Sequence, residues 1–332
     1  MTRPYPPTIF MAIMFGSLVQ GAEIRVGLIG VDTSHATAFT ELINNPSNPQ
    51  YTAGARVVAA FKGGSPDIPS SWTRVESYSS ELQKKYGVKI LGSIEELCSQ
   101  VDAVLLESVD GRPHLEQVRP VFMAHKPVFV DKPIAGSLRD AIEIRRLALQ
   151  YKVPCFSASS YRFYNSMKEL MKTDVGSLRS AISYGPAEKE PHHPDLYWYG
   201  VHATEALYTA LGQGCERVVR VASDETDIVV GTWSGGRTGT LMGLRTGATP
   251  HRVTLFGTKA VVDQKGSGDY APLVKEIVAF FQTGKAPVSL DETIEMFAFM
   301  EAADESKRRG GSPVDVREIM KANGWTDEAS AR

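Results

Sequence analysis

Pro127-Val128-Phe129-Val130-Asp131-Lys132-Pro133 carries three apolar residues straight into an acid, a lysine and a proline. With helical periodicity on both sides, a short unbroken apolar run reads as a strand buried on both faces, as in parallel sheets. Lys132 then stands at the carboxyl end of that strand, where open α/β sheets bind their ligands. Lys-Pro stiffens the backbone, because proline fixes its own φ and pushes the preceding residue away from αR. A stiff strand-end lysine can hold its ammonium against a substrate oxygen. The alternative is a strand, a turn and a solvated lysine.

The pattern repeats on either side. Ile24–Ile29, Val57–Phe61, Val88–Leu91, Val101–Leu106 and Val153–Phe156 are further apolar runs. Helical stretches separate them: Ala36, Phe39, Leu42 and Ile43 at helical spacing, then Glu81–Tyr86, His114–His125 and Ser137–Tyr151. Ser93 with Glu96 three residues on is a capping-box arrangement that starts another. Strands alternating with helices predict βαβ units, hence an α/β fold with a doubly wound parallel sheet of Rossmann type over residues 22–160. After Ser160 strand candidates come in succession: Leu178–Tyr184, Val218–Ala222, Asp227–Trp233, Thr238–Leu244, Arg252–Phe256 and Ala260–Asp263. They predict a second α/β domain over 161–332 with a large, mainly antiparallel open sheet, with helices returning at Ala271–Phe281 and Leu290–Arg308.

Size and charge narrow the function classes. A chain of 332 residues with 42% hydrophobic and 22% charged residues is globular and long enough for two domains. Its 36 basic residues balance 38 acidic ones, with no basic block, so nucleic acid is excluded as a partner. Cys98, Cys155 and Cys215 lie too far apart for a disulfide framework or a ligand motif, and read as small buried hydrophobes. Arg3 precedes the apolar run Ile9–Phe15, and Val19 and Gly21 offer short residues for cleavage. This predicts a Sec-type signal peptide over 1–21 and an exported, periplasmic or extracellular protein; the alternative is a buried amino-terminal helix. No later segment is apolar enough to span a membrane.

Three further stretches carry chemistry. In the first turn, Gly30-Val31-Asp32-Thr33-Ser34-His35, Gly30 fits the first position of a dinucleotide fingerprint. Asp32 replaces the second glycine, where a carboxylate repels a pyrophosphate; alternatively Asp32 or Thr33 caps the helix. After the second strand, Lys62-Gly63-Gly64-Ser65 replaces the acid that reads the ribose of NAD, and leans to NADP; the alternative is a flexible loop. In the second domain, Pro191–Glu205 crowds His192, His193, Asp195, Tyr197, Tyr199, His202 and Glu205 together with Trp198. Aromatics beside polar groups suit a sugar-sized pocket, and His202 titrates near neutrality as a general acid or base. The His, Asp and Glu spacing here matches no metal-ligand motif, so no metal is expected.

Together these residues resemble the Gfo/Idh/MocA family of NAD(P)-dependent oxidoreductases, which act largely on sugars and cyclitols. The E-K-P motif of that family is similar to Asp131-Lys132-Pro133, and its T-P-x-x-x-H segment to Val109–His114, with only the histidine kept. Tyr161-Arg162-Phe163 is similar to the Tyr-Arg-Phe type sequence that ends a strand of that family. The catalytic D-x-G-x-H-x-x-D segment is similar to Trp198–Glu205: Gly200 and His202 stay, Glu205 takes the last acid, and Trp198 replaces the first. The resemblance implies oxidoreduction at a secondary alcohol of a sugar or polyol, with NADP or NAD, in a homo-oligomer. It implies Lys132 polarising the oxygen and His202 moving the hydroxyl proton, with Tyr199 as a further catalytic candidate. Gly30, Thr33, Ser34, Lys62, Ser65 and Lys132 become the cofactor candidates, and His114 lines the nicotinamide side. Export implies a cofactor that stays bound and is recycled in each turnover. The rival expectation is a cofactor-less carbohydrate- or partner-binding module on the same scaffold.

Overall fold

The computed structural model describes residues 23–326; the expected signal peptide lies outside the described residues. Six strands form a parallel sheet: β1 (Ile24–Ile29), β2 (Ala55–Phe61), β3 (Lys89–Leu91), β4 (Ala103–Leu106), β5 (Val128–Val130) and β6 (Cys155–Ser157). Their crossovers carry α1 (Ser34–Asn44), α2 (Pro69–Trp72), α3 (Val75–Tyr86), α4 (Ile94–Gln100), α5 (His114–Met123) and α6 (Leu138–Tyr151). β4 and β5 are buried at every residue, as their unbroken apolar runs require of strands covered by helices on both faces.

The strand order is β3-β2-β1-β4-β5-β6. It reverses between β1 and β4, which opens the crevice where such sheets hold ligands. Thr33, not Asp32, caps α1: its hydroxyl accepts from the His35 amide at 3.3 Å. Ser93 caps α4 through the Glu96 amide at 3.1 Å, as its spacing predicts.

The second sheet has seven strands: β7 (Leu178–Pro186), β8 (Cys215–Ala222), β9 (Thr226–Trp233), β10 (Thr238–Leu244), β11 (Arg252–Gly257), β12 (Val261–Asp263) and β13 (Val314–Asp315). Their order is β12-β11-β7-β10-β9-β8-β13, with only the β7–β10 pair parallel. Period-2 burial along β9 and β10 puts one face on α8 (Gly200–Leu211) and α10 (Leu290–Arg308). The other face leaves Val221, Ile228 and Val230 exposed.

Three further helices complete the described residues: α7 (Asn165–Lys172), α9 (Ala271–Thr283) and α11 (Val316–Ala322). The sheets divide near residue 160, yet α9 crosses back to pack on α1. Phe280 meets Phe156 edge-on at 4.8 Å between ring centroids. α3 begins six residues earlier than the Glu81 start expected from sequence. Only Val75, Ser79 and Leu82 of it are buried, a stripe too narrow to give an apolar period.

Candidate active site

The carboxyl ends of β4 and β5 bring the chemistry-bearing residues to the crevice. Asp131 follows β5 directly, with its amide on the Leu106 carbonyl at 2.8 Å, and Lys132 comes next. Lys132 lines a cavity of about 290 Å³ together with Thr33, Ser34, His35, Tyr199, His202, His251 and Tyr270. The expected pair, Lys132 and His202, therefore shares one interdomain pocket. Among the described residues the Lys132 ammonium makes no hydrogen bond or ion pair.

His202 sits in the first turn of α8. Its Nδ1 lies 2.7 Å from the Ser159 hydroxyl. With the proton on Nδ1 donated to that oxygen, Nε2 keeps a lone pair and can act as a base. Burial pushes the imidazole well below its ordinary value, and the charges of Lys132, His251 and His35 push the same way. Its neutral form is therefore held ready at neutral pH. Tyr199 is 41% exposed at the mouth, its ring 5.9 Å from that of His202.

Other expected residues are spent inside the protein. His114 is fully buried, its ring nitrogens 2.8 Å from the Ser108 carbonyl and 3.2 Å from that of Ile134. It pins the loop after β4 to the loop after β5 and is not among the residues that line the pocket. The Ser65 hydroxyl donates to buried Asp110 at 2.6 Å. Lys62 is chelated by Glu76 at 2.7 and 2.8 Å. The two side chains that leaned to NADP are thus both engaged elsewhere.

Glu205, expected as the last acid of a catalytic segment, is 2% exposed and ion-paired to Arg162, which also holds Glu292. The other polar residues around Pro191–Glu205 do not converge either. His192 bonds Glu190, His193 faces Asp110 at 3.1 Å, and Asp195 pairs with Arg220 and Lys307. Trp198 lines the pocket, its ring tilted against that of His193 at 5.1 Å between centroids.

The pocket also contains residues that sequence reading passed over. His251, from the start of β11, lies 3.7 Å centroid-to-centroid from Tyr161, and burial lowers it to about 4. Tyr270 reaches over from the loop before α9, edge-on to His35 at 4.8 Å. Arg74 is an exposed cation at the rim, near Ser34. No local pattern marks these three, because each arrives from a different part of the chain.

The turn after β1 matches a dinucleotide at one end and departs from it at the other. Gly30 holds φ +85°, and a Cβ there would strike the Ser108 backbone. Ser34 stays exposed at the α1 amino terminus, where the helix dipole favours a phosphate. Asp32, however, is fully buried in the path of a pyrophosphate. It accepts from Ser71 at 2.5 Å and from the Val109 amide at 3.3 Å, and burial raises its carboxyl. This bond ties the α2 segment to the turn.

Residues 24–159 match the model of the oxidoreductase family with an NAD-binding Rossmann fold, Gfo/Idh/MocA. YceM of Salmonella typhimurium, an oxidoreductase by name, is 27% identical over 157 residues, 47% of this chain. The match spans 45% of that relative's length. The scyllo-inositol dehydrogenase of Lactobacillus casei, solved with NAD(H) and scyllo-inositol, superposes with a TM-score of 0.73 at 14% identity. The superposition covers 89% of this chain and 99% of that one. The myo-inositol 2-dehydrogenase of Lactobacillus plantarum gives 0.72 at 16% identity, over 88% and 99% of the two chains. At such identities the likeness establishes the fold.

Proposed function

We propose, from the match of residues 24–159 to the Gfo/Idh/MocA oxidoreductase family model, that this chain oxidises or reduces a secondary alcohol of a sugar or polyol with a nicotinamide cofactor. The observation that carries the reading is the shared pocket of Lys132 and His202. Its volume of about 290 Å³ suits a monosaccharide or cyclitol. Tyr161, Trp198, Tyr199 and Tyr270 offer faces for the C–H side of a ring, and the histidines and Lys132 offer partners for its hydroxyls.

Bound nicotinamide supplies the acceptor or donor of the hydride. Lys132 holds the reacting oxygen and stabilises negative charge as it develops there. His202 Nε2 takes the hydroxyl proton on oxidation and returns it on reduction, with Ser159 fixing the ring. The Gly30 turn, Ser34 and the α1 amino terminus are the residues that would hold a pyrophosphate. NAD and NADP remain equal candidates, since Lys62 and Ser65 are engaged. Export of the mature chain belongs to the same proposal, with the cofactor kept bound and recycled. So does self-association through the exposed face of β8 and β9.

A second reading rests on Asp32: a scaffold that has given up its nucleotide and binds a carbohydrate alone. Thermal unfolding with NAD, NADP and their reduced forms separates the two. A nucleotide at a hundred times its Kd adds about 2.7 kcal/mol. A raised melting temperature with one of them, followed by turnover of inositols or aldoses, supports the oxidoreductase. No shift with any of the four, together with a shift by polyol alone, overturns it.

A further inference from the structure

We propose that His35, Glu107 and Asp131 form a buried divalent-cation site behind the His35 face of the pocket. The three stand on neighbouring elements at the sheet's reversal point: His35 in the first turn of α1, Glu107 directly after β4 and Asp131 directly after β5. Backbone bonds fix the two acids as strand continuations, with the Glu107 amide on the Ile29 carbonyl at 2.6 Å and the Asp131 amide on Leu106 at 2.8 Å.

The Glu107 side chain is the observation that asks for a ligand. It is fully buried, and neither of its carboxylate oxygens has a hydrogen-bond partner. Asp131 Oδ1 is equally unpartnered. A buried carboxylate without donors is costly unless a proton or a cation sits on it. Lys132, next in sequence to Asp131, lines the pocket and makes no ion pair with either acid among the described residues.

The donor atoms are spaced for one ion. His35 Nδ1 lies 2.7 Å from Asp131 Oδ2 and 3.9 Å from Glu107 Oε2, and all three donors fall within 4.8 Å of one another. Bonds of about 2.0–2.2 Å place two ligands about 3 Å apart at a right angle and about 4.3 Å apart when opposed, so a small rotation of Glu107 closes the set. One imidazole and two carboxylates suit Zn²⁺ or Mn²⁺. Three protein ligands leave coordination positions open, and the His35 ring lines the cavity shared with Lys132 and His202. An oxygen of a bound small molecule could fill one of them.

The test is calorimetric titration of chelator-treated full chain with Zn²⁺ and Mn²⁺ separately, in the absence of nucleotide and polyol, so that its outcome is independent of the oxidoreductase reading. One-to-one binding and a raised melting temperature are expected with at least one ion. Glu107→Gln keeps the shape and removes the carboxylate ligand. It should leave the metal-free melting temperature equal or higher while weakening binding by about 100-fold or more, and Asp131→Asn should weaken it likewise. Absence of binding of both ions to the parent chain, or binding unchanged in Glu107→Gln, overturns the site; the carboxyl then simply holds a proton.

Discussion

Replacing Arg162 by Met should destabilise the protein far more than loss of a surface charge. The guanidinium is 13% exposed and bridges Glu205, 2% exposed, to Glu292, 20% exposed. Glu292 can turn to water when the arginine is gone, but Glu205 cannot. Breaking a buried pair from one side costs about 3–5 kcal/mol, mostly the penalty of the charge left behind. At about 2 °C per kcal/mol for a chain of this size, the melting temperature should fall by about 6–10 °C.

The deficit should also depend on pH. Burial already holds the Glu205 carboxyl above its usual value despite Arg162. A carboxyl raised in the folded state binds its proton more tightly there than in the unfolded chain. Stability from it is therefore full below the unfolded value of about 4.3 and is lost as pH rises through the folded one. Without Arg162 the folded value climbs further. The loss should thus be largest at neutral pH and shrink on acidification, and Arg162→Met with Glu205→Gln should recover much of it. Scanning calorimetry of the three variants between about pH 5 and about pH 8 measures this. A loss under about 1 kcal/mol at neutral pH, or one that ignores pH, would refute the reasoning. The pair matters for the site because Arg162 follows Tyr161 while Glu205 lies one turn beyond His202, and the two rings meet at 5.0 Å.

Lys132→Ala should cost about 10²–10³ in turnover, the scale of losing one donor to a developing oxyanion, with the melting temperature nearly unchanged; unaltered turnover removes Lys132 from the chemistry. Because burial holds His202 well below its ordinary value, its base form persists on acidification. kcat/KM for alcohol oxidation should then stay level down to about pH 6, and an acid limb at or above about pH 6.5 would contradict the assignment of His202 as base. Asp32→Gly removes the carboxylate from the pyrophosphate path and the bridge to Ser71. Nucleotide Kd by calorimetry should drop by about tenfold or more, and an unchanged Kd would show that Asp32 does not obstruct the turn.

Sequence alone determined the doubly wound sheet, the change of architecture near Ser160 and the strand-end placement of Lys132. These follow from local rules: unbroken apolar runs give doubly covered strands, and the residue after such a run stands at the sheet's ligand edge. His202 was equally legible, since a histidine among aromatics on a helix start is a local pattern. Only the tertiary structure decided which polar groups stay free. Ser65, Lys62, His114 and Glu205 look available in the chain, but Asp110, Glu76, two backbone carbonyls and Arg162 claim them, Asp110 and Arg162 from 45 and 43 residues away. For the same reason the cluster of His35, Glu107 and Asp131 has no spacing to recognise. Its members meet because parallel strands align their carboxyl ends, which brings together residues that the intervening helices hold far apart in sequence.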